Sequence, residues 1–94
     1  MLDKLQAVAD RYEELEAKSQ QPDFYADPQK AARLLREKTD LEPVVEAFRA
    51  YQNALEEMKD AQELMKDLEM KDFCQEAYQE ARAASEALRE KLKI

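Results

Sequence analysis

Leu5, Val8, Tyr12 and Leu15 are separated by steps of 3, 4 and 3, which stacks them on one stripe of a helix while Lys4, Asp10, Arg11, Glu13, Glu14 and Lys18 face elsewhere. This pattern predicts a first helix over roughly residues 2–19. Pro22 closes it, because the proline ring disfavours helical geometry in the residue before it. Phe24 or Tyr25 is then placed to tuck the connecting loop against the bundle. Asp27-Pro28 predicts the next helix start: an Asp carboxylate can accept from otherwise orphaned amides, and Pro at the first helical position gives up an N–H that had no partner.

In the second helix, Leu41, Val44, Phe48, Tyr51, Leu55, Met58 and Met65 keep heptad spacing, broken where Gln62 takes an expected apolar place. Pro43 lies inside this run. An interior proline removes one hydrogen bond and presses on the preceding turn at about 3 kcal/mol, so a kink or a break is expected there. An unbroken helix over 28–67 would extend about 60 Å at 1.5 Å per residue, leaving helices one and three to cover opposite halves of it. A reversal at Asp67 to Glu69 precedes a third stripe, Met70, Cys74, Ala77, Ala81, Ala84 and Leu88, flanked by Phe73, Tyr78 and Leu92. The expected fold is all-α, an antiparallel bundle of three helices at about 2–19, 28–67 and 70–93, or four if Pro43 breaks the second. The whole of 1–94 reads as a single domain.

Composition narrows what such a bundle can do. A chain of 94 residues buries only roughly 60 to 65% of its unfolded surface, so its core must be thin. It contains no Gly, which argues against hairpin turns and phosphate-cradling loops. A net charge of −7 argues against broad binding to a phosphate backbone, which needs a basic face to release counterions. Protein surfaces are the more natural partners. The acids are concentrated: Glu56 to Asp72 holds seven acids against three bases, whereas Phe73 to Ile94 holds four of each. This run reads first as a solvated helix face and second as a docking patch.

Candidate chemistry is sparse. Cys74 is the only cysteine, so no intrachain disulfide forms, and with no His an ordinary zinc site is excluded. Ser19, Ser85 and Cys74 lack the usual activating base, and Cys74 on the apolar stripe reads as a small core residue. Met58, Met65 and Met70 fit core filling better than an adaptable groove, and Tyr12, Tyr51 and Tyr78 read the same way. Exposed pairs at helical spacing, Glu14 with Lys18 and Glu86 with Arg89, contribute about 0.2 to 0.5 kcal/mol each and identify no function. No catalytic, cofactor or metal residue is expected, and no particular binding residue can be named. No apolar run reaches the ~18 residues of a membrane span, and the opening lacks a signal peptide's apolar stretch; a cytoplasmic protein without a membrane partner is expected.

Particular residues add a resemblance. Met1-Leu2-Asp3-Lys4-Leu5-Gln6-Ala7-Val8, continuing to Arg11-Tyr12-Glu13-Glu14-Leu15, closely resembles the start of the bacterial class I peptide chain release factors of the release-factor-one type. Further blocks follow in order: Pro22-Asp23, Asp27-Pro28, Leu41 to Tyr51, Asp60-Ala61, Glu63-Leu64-Met65 and Glu69-Met70. Amphipathic helices share a small alphabet, so each block alone is weak; the ordered set carries the resemblance. Cys74 stands where the family tends to have Ala, Ala77 where an acid is common, and Lys18 to Gln21 is atypical.

The resemblance implies an N-terminal helical domain that docks its factor on the ribosome, at the stalk-base region of the large subunit, joined to the remainder of the release factor. Full-length members of the family read UAA and UAG through a Pro-X-Thr tripeptide and release the peptide with a Gly-Gly-Gln loop. Neither is present here: the prolines lead only Pro22-Asp23-Phe24, Pro28-Gln29-Lys30 and Pro43-Val44-Val45. Neither decoding nor hydrolysis is therefore expected from these residues. An excised domain of this kind could expose apolar surface and self-associate. The alternatives are a free-standing adaptor that dimerises through Phe48, Leu55 and Met58, and the sibling factor that reads UAA and UGA, against which the opening Leu-Asp-Lys-Leu argues.

Overall fold

The computed structural model describes residues 2–94. Among them are three α-helices, α1 (Leu2–Ser19), α2 (Pro28–Leu64) and α3 (Lys71–Leu92), with a 3-10 turn at Phe24–Ala26 and no strand. The chain groups into two compact units, one ending at Glu46 and the other comprising Ala47–Ile94. The first holds α1 and the N-terminal part of α2; the second holds the rest of α2 and α3.

Local chemistry sets the helix ends. The Asp27 carboxylate accepts from the Lys30 amide at 3.2 Å, and the Asp27 carbonyl accepts from Ala31 at 2.9 Å, so the Asp27-Pro28 start works as its chemistry requires. α1 stops where Gln20 and Gln21 turn back onto Ala17 and Lys18, ahead of Pro22. α2 ends at Leu64 rather than near 67 because its last turn tightens: Lys66 donates to the Glu63 carbonyl and Asp67 to that of Leu64. The expected reversal follows, with the Asp67 side chain accepting from the Glu69 amide at 3.0 Å. At the other end of α3, Lys93 adopts the left-handed conformation (φ 60°), and Lys93 and Ile94 donate to Glu90 and Arg89. This is a Schellman cap made without glycine.

Pro43 does not break α2, which runs unbroken from Pro28 to Leu64 and keeps the helix count at three. The proline ring lies on the exposed side, where water can solvate the Thr39 carbonyl that has lost its usual amide donor.

In the unit ending at Glu46, Ala9, Tyr12 and Leu15 of α1 are buried with Ala31 and Val45 of α2. Arg11 meets Glu37, while Lys18 shares a cavity with Lys30 and Leu34. Ascending numbers on one helix thus meet descending numbers on the other, and the pair is antiparallel. Phe24, not Tyr25, tucks the loop in: Phe24 is half-buried, and Tyr25, 65% exposed, packs edge-on against it at 4.9 Å.

The second unit corrects two expected stripes. Of the expected α2 seam, Phe48, Tyr51, Met58 and Met65 lie inward, whereas Leu55 is 42% exposed and Val44, in the first unit, is 39% exposed; beside Phe48 the inward line runs Ala47, Tyr51, Ala54, Met58 and Ala61, continued past the helix end by Met65. These positions advance by 4, 3, 4, 3 and 4, a heptad in which every second place is alanine. On α3 the seam is Cys74, Tyr78, Ala81, Ser85, Leu88 and Leu92; Ala84 and Met70 face outward. Ser85 can stand in a core because its hydroxyl donates to the Arg82 carbonyl at 2.8 Å, leaving it to pack as a small residue. Phe48 and Tyr51, at 4% and 8% exposure, supply the bulk, each contributing about 1.5 to 3 kcal/mol by burial.

Two stability measurements follow. Pro43→Ala should raise the thermal midpoint through about 1 to 3 kcal/mol of restored helix energy; an unchanged or lowered midpoint would contradict the account of an uncompensated interior proline. Ala61→Leu should destabilise by about 1 to 3 kcal/mol through overpacking, whereas Leu55→Ala should cost well under that in the same denaturant titration. The reverse order would restore the seam through Leu55.

Candidate functional site

Among the described residues no group of three or more His, Cys, Asp or Glu is placed to hold a metal ion. Cys74, at 2% exposure, is packed in the core. Tyr12 and Tyr51 are buried and Tyr78 half-buried; Met58 and Met65 are half-buried, with only Met70 outside. Every buried side-chain N or O among the described residues has a hydrogen-bond partner. Two features stand out among the described residues: an ionic cluster in one unit and an open trough in the other.

The ionic cluster lies in the unit ending at Glu46. The Arg11 guanidinium grips the Glu37 carboxylate with two parallel bonds, Nε to Oε2 at 2.5 Å and Nη2 to Oε1 at 2.9 Å. This is the fork-to-fork geometry that arginine alone provides. Its third nitrogen reaches Glu14 at 3.2 Å, and Glu14 also takes Lys18 at 3.1 Å. Lys38 stands 5.6 Å from the Tyr12 ring centroid, within reach of a cation–π attraction. The hydrogen bonds from Arg11 hold Glu37 below the ordinary carboxylate range against a smaller opposing effect of burial, and Glu37 in turn raises Arg11. Lys18, with Arg11 behind it, lowers Glu14. These charges are committed to one another and fix the α1–α2 register. Of the two pairs read from spacing, Glu14–Lys18 forms; Glu86 instead takes Arg82 at 3.1 Å, and Arg89 donates to the Ile94 carbonyl.

A cavity of about 360 Å³ at the first unit's loop mixes signs, with Lys18 and Lys30 against Asp23 and Asp27. The trough in the second unit has a single sign. Its volume is about 370 Å³; the buried or half-buried Ala61, Ala77 and Ala81 floor it, and the exposed Leu64, Phe73, Glu57, Asp60 and Glu80 line it further out. Glu57, Asp60, Ala61 and Leu64 belong to the acidic run Glu56 to Asp72, which the sequence offers as a solvated face or a docking patch, whereas the α3 residues of the trough carry no such signal. In the sequence pattern Phe73 flanks the third-helix stripe, and the signal that separates it is its place one residue before a core cysteine, a rotation of about 100° on a helix.

A family model, the PCRF domain, matches residues 8–94, which takes in both the Arg11–Glu37 clamp and the whole trough. The chain belongs to the PCRF domain family. Among its relatives, Peptide chain release factor 1 of Streptococcus agalactiae serotype Ia is 38% identical over 96 residues, covering 98% of this PCRF chain and 27% of the relative. The proteins of that name from Streptococcus pyogenes serotypes M5 and M49 match with the same identity and coverage. The PCRF chain therefore spans about a quarter of the length of the curated relatives it matches, and the family resemblance carried by its opening and internal blocks is borne out. No solved structure matches it.

The clamp carries a pH prediction. A carboxylate whose folded pKa is depressed adds stability above its unfolded value, near 4.5, and loses that contribution as the pH falls through the folded value. Glu37→Gln should therefore be less stable than the parent at pH 7, with the gap closing as the pH falls below 4.5 and through the depressed folded value. Thermal unfolding at a series of pH values reads this out. A gap of constant size would show that Glu37 acts by packing alone.

Proposed function

We propose that this PCRF chain is the N-terminal ribosome-docking module of a translation-termination factor, one domain of a longer protein that directs peptide release at UAA and UAG. The observation that carries the reading is the family match over residues 8–94 joined to the 38% identity with proteins named peptide chain release factor 1. Physical features support it. Each unit pairs helices through a fixed register, ionic in one and built on small residues in the other, which suits the presentation of a docking surface. No helix among the described residues is long and apolar enough to cross a membrane, in keeping with work on cytoplasmic ribosomes. We place the partner surface at the large-subunit stalk-base region, and assign decoding and ester hydrolysis to the remainder of the factor, since a chain with no Gly cannot contain a Gly-Gly-Gln loop.

An adaptor dimerising through Phe48, Leu55 and Met58 is less well supported. Phe48 is 4% exposed and Met58 half-buried within a single chain, so two of its three anchors are already covered.

In a reconstituted termination assay the 94-residue chain alone should release no peptide at any stop codon. Added in about hundredfold excess, it should slow release by the intact factor severalfold, through competition for a shared site. Stop-codon-dependent release by the chain alone, or no slowing at saturating excess, would defeat the reading.

A further inference from the structure

We propose that the trough between α2 and α3 in the unit of residues 47–94 is a receptor for a cationic amphipathic helix of a protein partner. Three observations on that unit converge. The first is the exposed apolar surface: Phe73 is 71% and Leu64 51% exposed, and both line a trough of about 370 Å³. Phe73 is outside because Cys74 holds the core position next to it. A large ring held in water on a well-formed helix is an unmet opportunity for burial.

The second observation is the floor. Phe73, Ala77, Glu80 and Ala84 advance by 4, 3 and 4 along α3 as a second stripe beside its core seam, and on α2 Ala61 faces the same space. Methyl groups leave room for the ridge of an incoming helix to lie at short interaxial distance, with Phe73 and Leu64 as anchors for its apolar stripe.

The third observation selects the occupant. Glu57, Asp60 and Glu80 edge the trough, Glu76 lines the adjoining dip beside Phe73, and no Lys or Arg lines either among the described residues. A second copy would bring the same acids against these in a chain of net charge −7, and a nucleic acid or an anionic lipid surface would be repelled. A helix with Lys or Arg flanking a leucine stripe satisfies floor and rim together. This goes beyond the ribosome reading and does not rest on it, because a peptide suffices as probe.

The test is an NMR titration of the isotope-labelled 94-residue chain with a synthetic helical Leu/Lys peptide about five turns long, its leucines at i, i+3, i+4 and i+7. A peptide of the same composition in scrambled order is the control. Shifts should concentrate at Ala61, Leu64, Phe73, Ala77 and Ala84, and the scrambled peptide should bind roughly tenfold more weakly. Phe73→Ser, at a site too exposed to be needed for folding, should weaken binding by a similar factor. Glu57→Lys with Glu80→Lys should weaken it independently, and raised salt should do the same in the parent. Equal affinity for the scrambled peptide, shifts spread over the acidic faces, or Phe73→Ser without effect would overturn the proposal. Concentration-dependent shifts at these residues without peptide, with a doubled mass in sedimentation, would overturn it in favour of a second copy.

Discussion

The structure depends on one packing constraint: a pair of helices has a single line of contact, and everything that holds the pair must lie on it. In the unit of residues 47–94, that line alternates alanine with tyrosine or methionine on α2 and meets Cys74, Ala81 and Ser85 on α3. Small residues let the backbones approach, and the large ones between them then fill space that a wider separation would leave empty. An all-large seam would bury more area per residue but force the helices apart. Within this unit of two helical segments, the closer approach is the better use of a thin core.

The same constraint explains what could be read from the sequence and what could not. Helix starts and stops were legible because their chemistry is local: Asp27 before Pro28, Pro22 after α1, and Asp67 in the reversal each act within a few residues. The α1 stripe was legible because Tyr12 and Leu15 are large and their polar neighbours are charged. The α2 seam is legible at Phe48, Tyr51, Met58 and Met65, which lie inward, and fails at Val44 and Leu55, where apolar bulk is a poor marker of the inside. Alanine is ambiguous, at home on a buried seam and on a solvated helix, so Ala47, Ala54 and Ala61 carried no weight beside Leu55. Ser85 was invisible for a related reason: its burial depends on a hydroxyl bond to Arg82 that no hydropathy pattern encodes.

The ionic cluster shows a division of labour between the two units. Between α1 and α2, the Arg11–Glu37 fork does what alanine packing does between α2 and α3, fixing how far one helix slides along the other. A two-bond fork tolerates little sliding before both bonds are lost. Exposed ion pairs add little stability in general, so its value lies in choosing one register among several that apolar contact alone would permit. Glu14 and Lys18 extend the fork along α1 and keep its charges balanced.

Close packing by small residues also has a consequence at the surface. On a helix, the residue beside a seam position is rotated by about 100°, so a seam built from Cys74 and Ala81 has neighbours whose own environment the core does not decide. Where those neighbours are charged, the face is simply solvated, as along most of α1. Where they are Phe73, Ala77 and Ala84, the flank of the seam becomes a second apolar line, bounded by acids. A chain with no His or Gly still has this means of discriminating among partners. The apolar floor rewards shape, the acidic rim rejects anions and copies of itself, and only a ligand meeting both conditions gains from settling there.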